Sequence, residues 1–383
     1  MPQVARILTT APDPHIRVMV VDDAVVFRGL VARWLGEEPD MEIVGSHRNG
    51  YEALENFLRV DPDVVVLDIE MPGIDGLETL PLLLAKKPDV TVIISSTVTR
   101  RNAEVGIRAL SLGAKDYLSK PETNRELTMS SEFRRDLVQK IRELGRRGMR
   151  KSRTRGPDVS AEAVVPAFKL RPYSAFPPRI LVIGASTGGP QALQVLMRGL
   201  DPVLRRLPVL VTQHMPPTFT TILAEHLGRT IARPAHEGVH GETVSAGTLY
   251  VAPGGRHMQI ERKGEQTRLV IDDSPPVNFC RPSVDPLFST AAATYGAGTL
   301  AVVLTGMGSD GSDGASRIAA AGGTVIAQDE ATSVVWGMPG AAAEAGACAG
   351  VLPLEAIAPK VVELVTGGAP GAAKAPTARE AAR

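Results

Sequence analysis

Val64-Val-Val-Leu-Asp68-Ile-Glu-Met-Pro-Gly-Ile-Asp-Gly76 sets one carboxylate at the end of a wholly apolar run. Four aliphatic residues closed by a Pro-Gly turn read as a strand buried on both faces, the kind found in parallel sheets. A second such run, 16–21, ends in Asp22-Asp23, and a later one, 116–119, ends in Lys120-Pro121. Further strand candidates lie at 41–46 and 91–95, the last closing on Ser95. Between them, 25–35, 51–58, 77–85 and 103–112 carry apolar residues at helical spacing. Five β–α cycles predict a five-stranded, doubly wound parallel sheet of flavodoxin-like type, with its site at the carboxyl ends of the strands.

Gathered at neighbouring strand ends, Asp22, Asp23 and Asp68 make a cation pocket, with Lys120 beside it. A magnesium-type cation prefers oxygen ligands and keeps several waters, so two or three carboxylates suffice. Such a cation offsets charge on an incoming phosphoryl group and leaves the Asp68 oxygen free as nucleophile. Ser95 is placed to hydrogen-bond the new phosphoryl oxygens and Lys120 to pair with their charge. Taken singly, Asp22-Asp23 is a helix cap and Asp68 a turn residue. The whole constellation in order favours the phosphoacceptor.

The length, 383 residues, allows two to three domains, each with its own core. With 44% hydrophobic and 22% charged residues and a net charge of +0, the composition is that of a globular protein without general attraction for nucleic acid or membranes. Two cysteines, Cys280 and Cys348, allow at most one bridge, which favours a reducing compartment. The N-terminus lacks a signal-peptide core, and no apolar run approaches the roughly 18–20 residues of a membrane span. A cytoplasmic protein without membrane insertion is expected. A helix at about 126–144 runs into a basic stretch from Arg146 to Arg155, and the residues up to Pro178 read as an exposed linker. An RNA-binding arm is the sharper reading of those arginines, but the run lacks interleaved aromatics. The segment after about Gly367 should be disordered.

A second α/β unit opens at Arg179-Ile-Leu-Val-Ile-Gly184. Strand candidates at 180–183, 208–212, 299–304 and 324–327 predict a doubly wound, mainly parallel sheet, and 249–260 with 268–271 predict a β-hairpin excursion. Gly184-Ala-Ser186-Thr-Gly188 is a G-x-S-x-G turn directly after a strand, which exposes a serine hydroxyl while the following N–H groups, Thr187 first, face a developing oxyanion. The same turn suits a bound phosphate. His214 and Asp310 each follow another apolar strand, so all three side chains can converge on one sheet edge. Ser186 is a poor nucleophile until His214 takes its proton, while Asp310 fixes the tautomer and steadies the imidazolium. The order Ser…His…Asp differs from the Ser…Asp…His of α/β-hydrolases.

Three other patterns compete. Gly306-Met-Gly308-Ser-Asp-Gly311 is a literal G-x-G-x-x-G with Asp329 and Glu330 downstream, but Asp310 at the turn would repel a pyrophosphate. His236-Glu-Gly-Val-His240 matches H-E-x-x-H, yet Pro234, Gly238 and Gly241 argue against the helix that zinc would need. His257, in a hairpin setting, suits a loop-ordering or substrate-side role.

Residues 15–135 closely resemble response-regulator receiver domains, carried by Asp22-Asp23, the Asp68 segment, Ser95-Ser96 and Lys120-Pro121. The resemblance implies phosphorylation of Asp68 by a histidine kinase, Mg2+ held by Asp23, Asp68 and the Glu70 carbonyl with Asp22 assisting, and Ser95 as switch hydroxyl. Residues 178–366 resemble the catalytic domain of the CheB chemotaxis methylesterases. The carrying segments are Ile183–Pro190, Gln213-His-Met-Pro216, Val251–His257 and Leu304–Gly311. That match implies a Ser186–His214–Asp310 triad with no cofactor, and the Met307 N–H as an oxyanion donor. It also implies hydrolysis of glutamyl methyl esters, and deamidation of glutamines, on chemoreceptors. Residues 136–177 form the expected linker and 367–383 the tail, neither with an assigned role. Phosphorylation of Asp68 is expected to draw Ser95 inward and relieve inhibition of the catalyst.

Overall fold

The computed structural model describes residues 15–97, 99–121, 130–153 and 168–367, which fall into two compact units. In the first, β1 (Ile16–Val21), β2 (Met41–His47), β3 (Val64–Asp68), β4 (Thr91–Thr97) and β5 (Asp116–Lys120) alternate with α1 (Val25–Gly36), α2 (Gly50–Val60) and α3 (Gly76–Lys86), and along the chain α4 (Arg100–Ser111) connects β4 to β5. The sheet order is β2-β1-β3-β4-β5, all parallel. Every residue of β3 is buried, as its apolar run requires. Asp75 caps α3: its side chain accepts from Glu78 N–H at 2.7 Å while Glu78 returns a bond to Asp75 N–H. Glycine is obligatory at 76, because a Cβ there would lie 2.0 Å from the Asp68 carbonyl oxygen.

The last helix of this unit, α5, spans Ser131–Arg153 and so carries helix well into the expected linker. Gly145, inside this helix, is a packing contact. A Cβ there would meet Ile16 Cγ2 at 2.5 Å and Val64 Cγ2 at 3.2 Å, so its absence lets the helix press onto the sheet. Arg142 makes bonds of 2.7 and 2.9 Å to Asp40 and one of 2.7 Å to Glu38, and Arg146 reaches Asp40 at 3.0 Å. Part of the basic run is therefore spent on internal ion pairs. Residues 154–167 of the linker, and the tail from 368, lie outside the described residues.

The second unit begins before the expected boundary. Arg171 N–H bonds the Cys348 carbonyl at 2.9 Å, Ser174 N–H bonds Thr324 Oγ1 at 3.0 Å, and the Phe168 ring packs 5.5 Å from Trp336. Its main sheet has seven strands in the order β14-β13-β12-β6-β7-β9-β8, every registered pair parallel. These are β6 (Ile180–Ala185), β7 (Val209–Gln213), β8 (Ala235–Glu237), β9 (Leu249–Val251), β12 (Thr299–Val303), β13 (Thr324–Gln328) and β14 (Gly350–Leu352). The hairpin is β10 (His257–Lys263) with β11 (Gln266–Asp272). Residues 249–251, expected in that hairpin, instead join the main sheet beside β7. Helices α6 (Gly189–Arg198), α7 (Asp201–Leu204), α8 (Phe219–Ile231), α9 (Val284–Tyr295), α10 (Ser312–Ala320), α11 (Gly337–Glu344) and α12 (Leu354–Thr366) complete the unit. One core cluster runs from β6, β12 and β13 to α9, α10 and the hairpin. Because the chain winds outward from β6 in both directions, the carboxyl ends of β12, β6 and β7 open the crevice expected at such a switch point.

Candidate functional site

In the first unit, the carboxylates of Asp22, Asp23 and Asp68 offer oxygens within 4.8 Å of one another. Asp22 and Asp68 are buried, while Asp23 is exposed. Lys120 Nζ stands 2.5 Å from Asp22 and 2.8 Å from Asp68, with the Phe27 ring centroid 4.6 Å away. One ammonium thus serves two buried acids and leaves negative charge in excess. Burial pushes Asp68 up to about 6, against the pull of Lys120 and with help from the Asp22 charge. An oxygen-only donor set with surplus negative charge suits a hard divalent cation. Ser95 is registered directly beside Asp68 on β4. Its hydroxyl is fully buried and has no hydrogen-bond partner among the described residues. An orphan donor of this kind is costly unless a further oxygen arrives. Glu70 follows two residues after Asp68, its side chain exposed.

In the second unit, Ala185 is registered with Gln213, so Ser186 and His214 are the next residues on adjacent strands. Gln213 Nε2 donates to the Ser186 carbonyl at 2.9 Å, tying the two strand ends together. His214 Nε2 donates to Asp310 Oδ2 at 2.7 Å. Asp310 also accepts from Val284 N–H at 2.7 Å, Ser283 Oγ at 2.7 Å and Asn278 Nδ2 at 3.1 Å. Burial works against its charge, but His214, Ser283 and the Val284 N–H prevail and hold the carboxyl well below the usual range. The structure thus brings His214 and Asp310 together.

No hydrogen bond joins Ser186 to them among the described residues. The Ser186 hydroxyl makes no hydrogen bond among the described residues, and His214 Nδ1 faces Cys280 Sγ at 3.4 Å. Burial opposes charging the ring, yet Cys280 and Asp310 outweigh it and push His214 up to about 10. For Nδ1 to accept a proton from Ser186 it would have to exchange its thiol partner for the serine, a tightening that catalytic groups commonly undergo with substrate. A Cβ on Gly306 would lie 2.8 Å from the Ser186 Cβ, which puts Met307, the next residue, close to the serine. The Met307 N–H has no partner among the described residues. Thr187 is buried, and its carbonyl accepts from Thr305 Oγ1 at 2.9 Å.

Sequence reasoning missed Cys280, Asn278, Ser283 and Asp285, on the segment entering α9 and in its first turn. Asp285 receives Gly314 N–H and Asn278 Nδ2, at 2.7 and 2.8 Å, and burial together with the Asp310 charge pushes it up to about 6. Only Ser283-Val-Asp285, a polar pair opening a helix, offered a local signal. The competing patterns resolve into structural roles. His257 accepts from Ser283 N–H at 3.2 Å and bonds the Pro275 carbonyl at 3.2 Å, ordering the loop that feeds Asp310. His236 lies on β8 and bonds Glu242, while His240 accepts from Ile271 N–H, so the two imidazoles do not share a helical face. In the Gly306–Gly311 turn, Asp310 is committed to His214.

A family model described as CheB methylesterase matches residues 181–361, and one described as response regulator receiver domain matches residues 18–131. The protein-glutamate methylesterase/protein-glutamine glutaminase of Rhodopseudomonas palustris (strain BisB5) is 57% identical over 364 residues, covering 92% of this chain and 94% of its own. That of Nitrobacter hamburgensis is 58% identical over 360 residues, with 92% and 94% covered. Among solved structures, the CheB methylesterase catalytic domain of Thermotoga maritima aligns at 42% identity and a TM-score of 0.48, covering 50% of this chain and 100% of that one. With a parallel-sheet receiver and a parallel α/β catalyst along one polypeptide, and relatives of this identity over almost their whole length, the chain belongs to the CheB methylesterase family.

Proposed function

We propose that this protein hydrolyses glutamyl γ-methyl esters on chemoreceptors, releasing methanol, deamidates receptor glutamines at the same site, and is switched by phosphorylation of Asp68. The observation that supports the hydrolase reading is that Ser186 and His214 each follow one of two registered residues on adjacent strands, with His214 bonded to an Asp310 that is itself fully liganded. Ser186 Oγ attacks the side-chain carbonyl while His214 Nδ1 takes its proton. Asp310 steadies the imidazolium through Nε2, and the N–H groups of Met307 and Thr187 receive the oxyanion. The imidazolium then protonates the departing methanol or ammonia, and water, deprotonated by His214, releases the acyl group from Ser186. Either reaction leaves a carboxylate and so alters charge repulsion among receptor helices.

In the receiver, Asp22, Asp23, Asp68 and the Glu70 carbonyl would hold Mg2+, which when bound supplies positive charge to an incoming phosphoryl group. Asp68 accepts that group from a histidine kinase, Lys120 pairs with its charge, and the unpartnered Ser95 hydroxyl turns to its oxygens. We assign the receiver to the chain up to α5 and the catalyst to the chain from residue 168. No helix among the described residues is long and apolar enough to cross a membrane. Receptor helices on the cytoplasmic side would bring the reaction to the cytoplasm.

The test is methanol release from methylated receptor membranes by the full chain, with and without a small phosphodonor and magnesium. The phosphodonor should raise the rate, Ser186→Ala should abolish release, and Asp68→Asn should release methanol without stimulation. Release by Ser186→Ala at the parent rate removes the serine from the chemistry, and no release by the parent protein points to a binding adaptor.

A further inference from the structure

The serine mechanism leaves one nucleophile at the base unused. Cys280 Sγ lies 3.4 Å from His214 Nδ1, and the opposite ring nitrogen is held by Asp310 at 2.7 Å. The imidazole therefore spans a thiol and a carboxylate that cannot take up its proton, because Asp310 is already held ionised by Val284, Ser283 and Asn278. The ring is pushed up to about 10, and Cys280 is foremost among the groups that raise it. A thiol within hydrogen-bond reach of an imidazole whose far nitrogen is held by a carboxylate has an acceptor for its proton at hand.

The backbone holds this thiol in place. Val277 and Cys280 exchange both main-chain hydrogen bonds, at 3.1 and 2.9 Å, around a two-residue turn. Asn278 and Phe279 at its tip have φ of 51° and 62°, the left-handed region that such a turn demands and that phenylalanine avoids. Asn278 in turn is pinned to Asp285 and Asp310. Cys280 is half-buried, whereas the other thiol, Cys348, is buried and pushed up to about 12 by that burial. One protein thus contains a paired thiol and an inert one.

We infer that Cys280 and His214 form a thiolate–imidazolium pair that makes Cys280 a modification site for soft electrophiles, peroxides among them, and that modification denies His214 to Ser186. With hydrogen peroxide, the thiolate sulfur bonds one oxygen as the O–O bond breaks. The sulfur is oxidised to a sulfenic acid, the peroxide is reduced, and the departing hydroxide takes the imidazolium proton to leave as water. With iodoacetamide, an S–C bond forms and iodide leaves. In both products the added group fills the Nδ1 side of the ring, where the serine must come. The second half of this inference rests on His214 serving Ser186 as base, and the first half does not.

The experiment labels the full chain with iodoacetamide from pH 5 to 9 and follows Cys280 and Cys348 peptides by mass spectrometry. Cys280 should react at least tenfold faster than Cys348, with a midpoint well below the roughly 8.5 of a free cysteine. His214→Gln should return that midpoint towards 8.5, with continued protection of Cys348 showing that the unit is folded. A Cys280 midpoint at or above 8.5, or one indifferent to His214→Gln, overturns the ion pair. Methanol release should fall in proportion to Cys280 labelling, and whatever release Cys280→Ser retains should be insensitive to the reagent. Full labelling with undiminished release overturns the blocking. If untreated protein releases no methanol, the hydrolase reading fails while the labelling midpoints still decide the ion pair.

Discussion

Replacing Asp68 with asparagine should stabilise the receiver, and only at neutral and alkaline pH. Asp22 and Asp68 are both buried and share a single ammonium, Lys120. Asp68 consequently rises from its ordinary 3.8 to about 6. For an acid whose folded value is raised, the folded state holds the proton more tightly than the unfolded chain does. That contribution to stability is complete below pH 3.8 and is lost as pH rises through about 6. About two units at about 1.4 kcal/mol each place the cost of the ionised carboxylate near 3 kcal/mol. Asp22 shares this titration, so the gain from Asp68→Asn is set at about 1–3 kcal/mol at pH 8, or roughly 4–12 °C in melting temperature for a unit of this size. Lys120 keeps Asp22 as partner, so no buried cation is stranded. Trp34, buried in α1, reports on this unit, and Trp336 on the other. Urea melts of Asp68→Asn in a Trp336→Phe background, with chelator present, should show the gain at pH 8 and almost none at pH 4. A loss of stability at pH 8, or an equal gain at both pH values, would refute the charge-excess account of the pocket.

The same excess predicts that magnesium at ten times its dissociation constant raises receiver stability at pH 8 by about 1.4 kcal/mol in the parent chain. It should add nothing measurable to Asp68→Asn, as thermal melts will show. Gly76→Ala drives a methyl to 2.0 Å from the Asp68 carbonyl, a backbone atom that cannot turn aside. A loss of about 1–3 kcal/mol is expected, with slower phosphorylation of Asp68 by a small phosphodonor, and parent-like values in both measurements would contradict the close approach. Asp310→Asn removes the ionised partner of His214 Nε2, so methanol release should fall by roughly 10³–10⁴-fold. A fall of less than tenfold would mean that the carboxylate does not steady the base.

Much of this protein was legible along the chain. In the receiver, β1 and β3 are largely apolar runs, and Asp22 just after β1, Asp68 closing β3 and Lys120 closing β5 meet in one cluster. In the catalytic unit the same rule places Ser186 and His214 one step past β6 and β7. The failures have definite causes. Strands β8, β9 and β14 are three residues each, too short for a period of two to be visible, and they exist through pairing with longer neighbours. The last receiver helix, expected to end at about 144, continues to Arg153, and Gly145 within it packs on Ile16 and Val64, contacts that lie far away in the sequence.

Sequence alone determined the two parallel sheets and the residue types at their carboxyl edges, because hydrophobic periodicity is local and a parallel sheet lines up its strand ends. Which atoms those residues touch was decided by tertiary structure. The donors that hold Asp310 come from the segment entering α9, 26 to 32 residues earlier, and Cys280 is 66 residues from the imidazole whose nitrogen it occupies. A hydrogen bond is gained or lost over a few tenths of an ångström, and no pattern along the chain carries distances that fine.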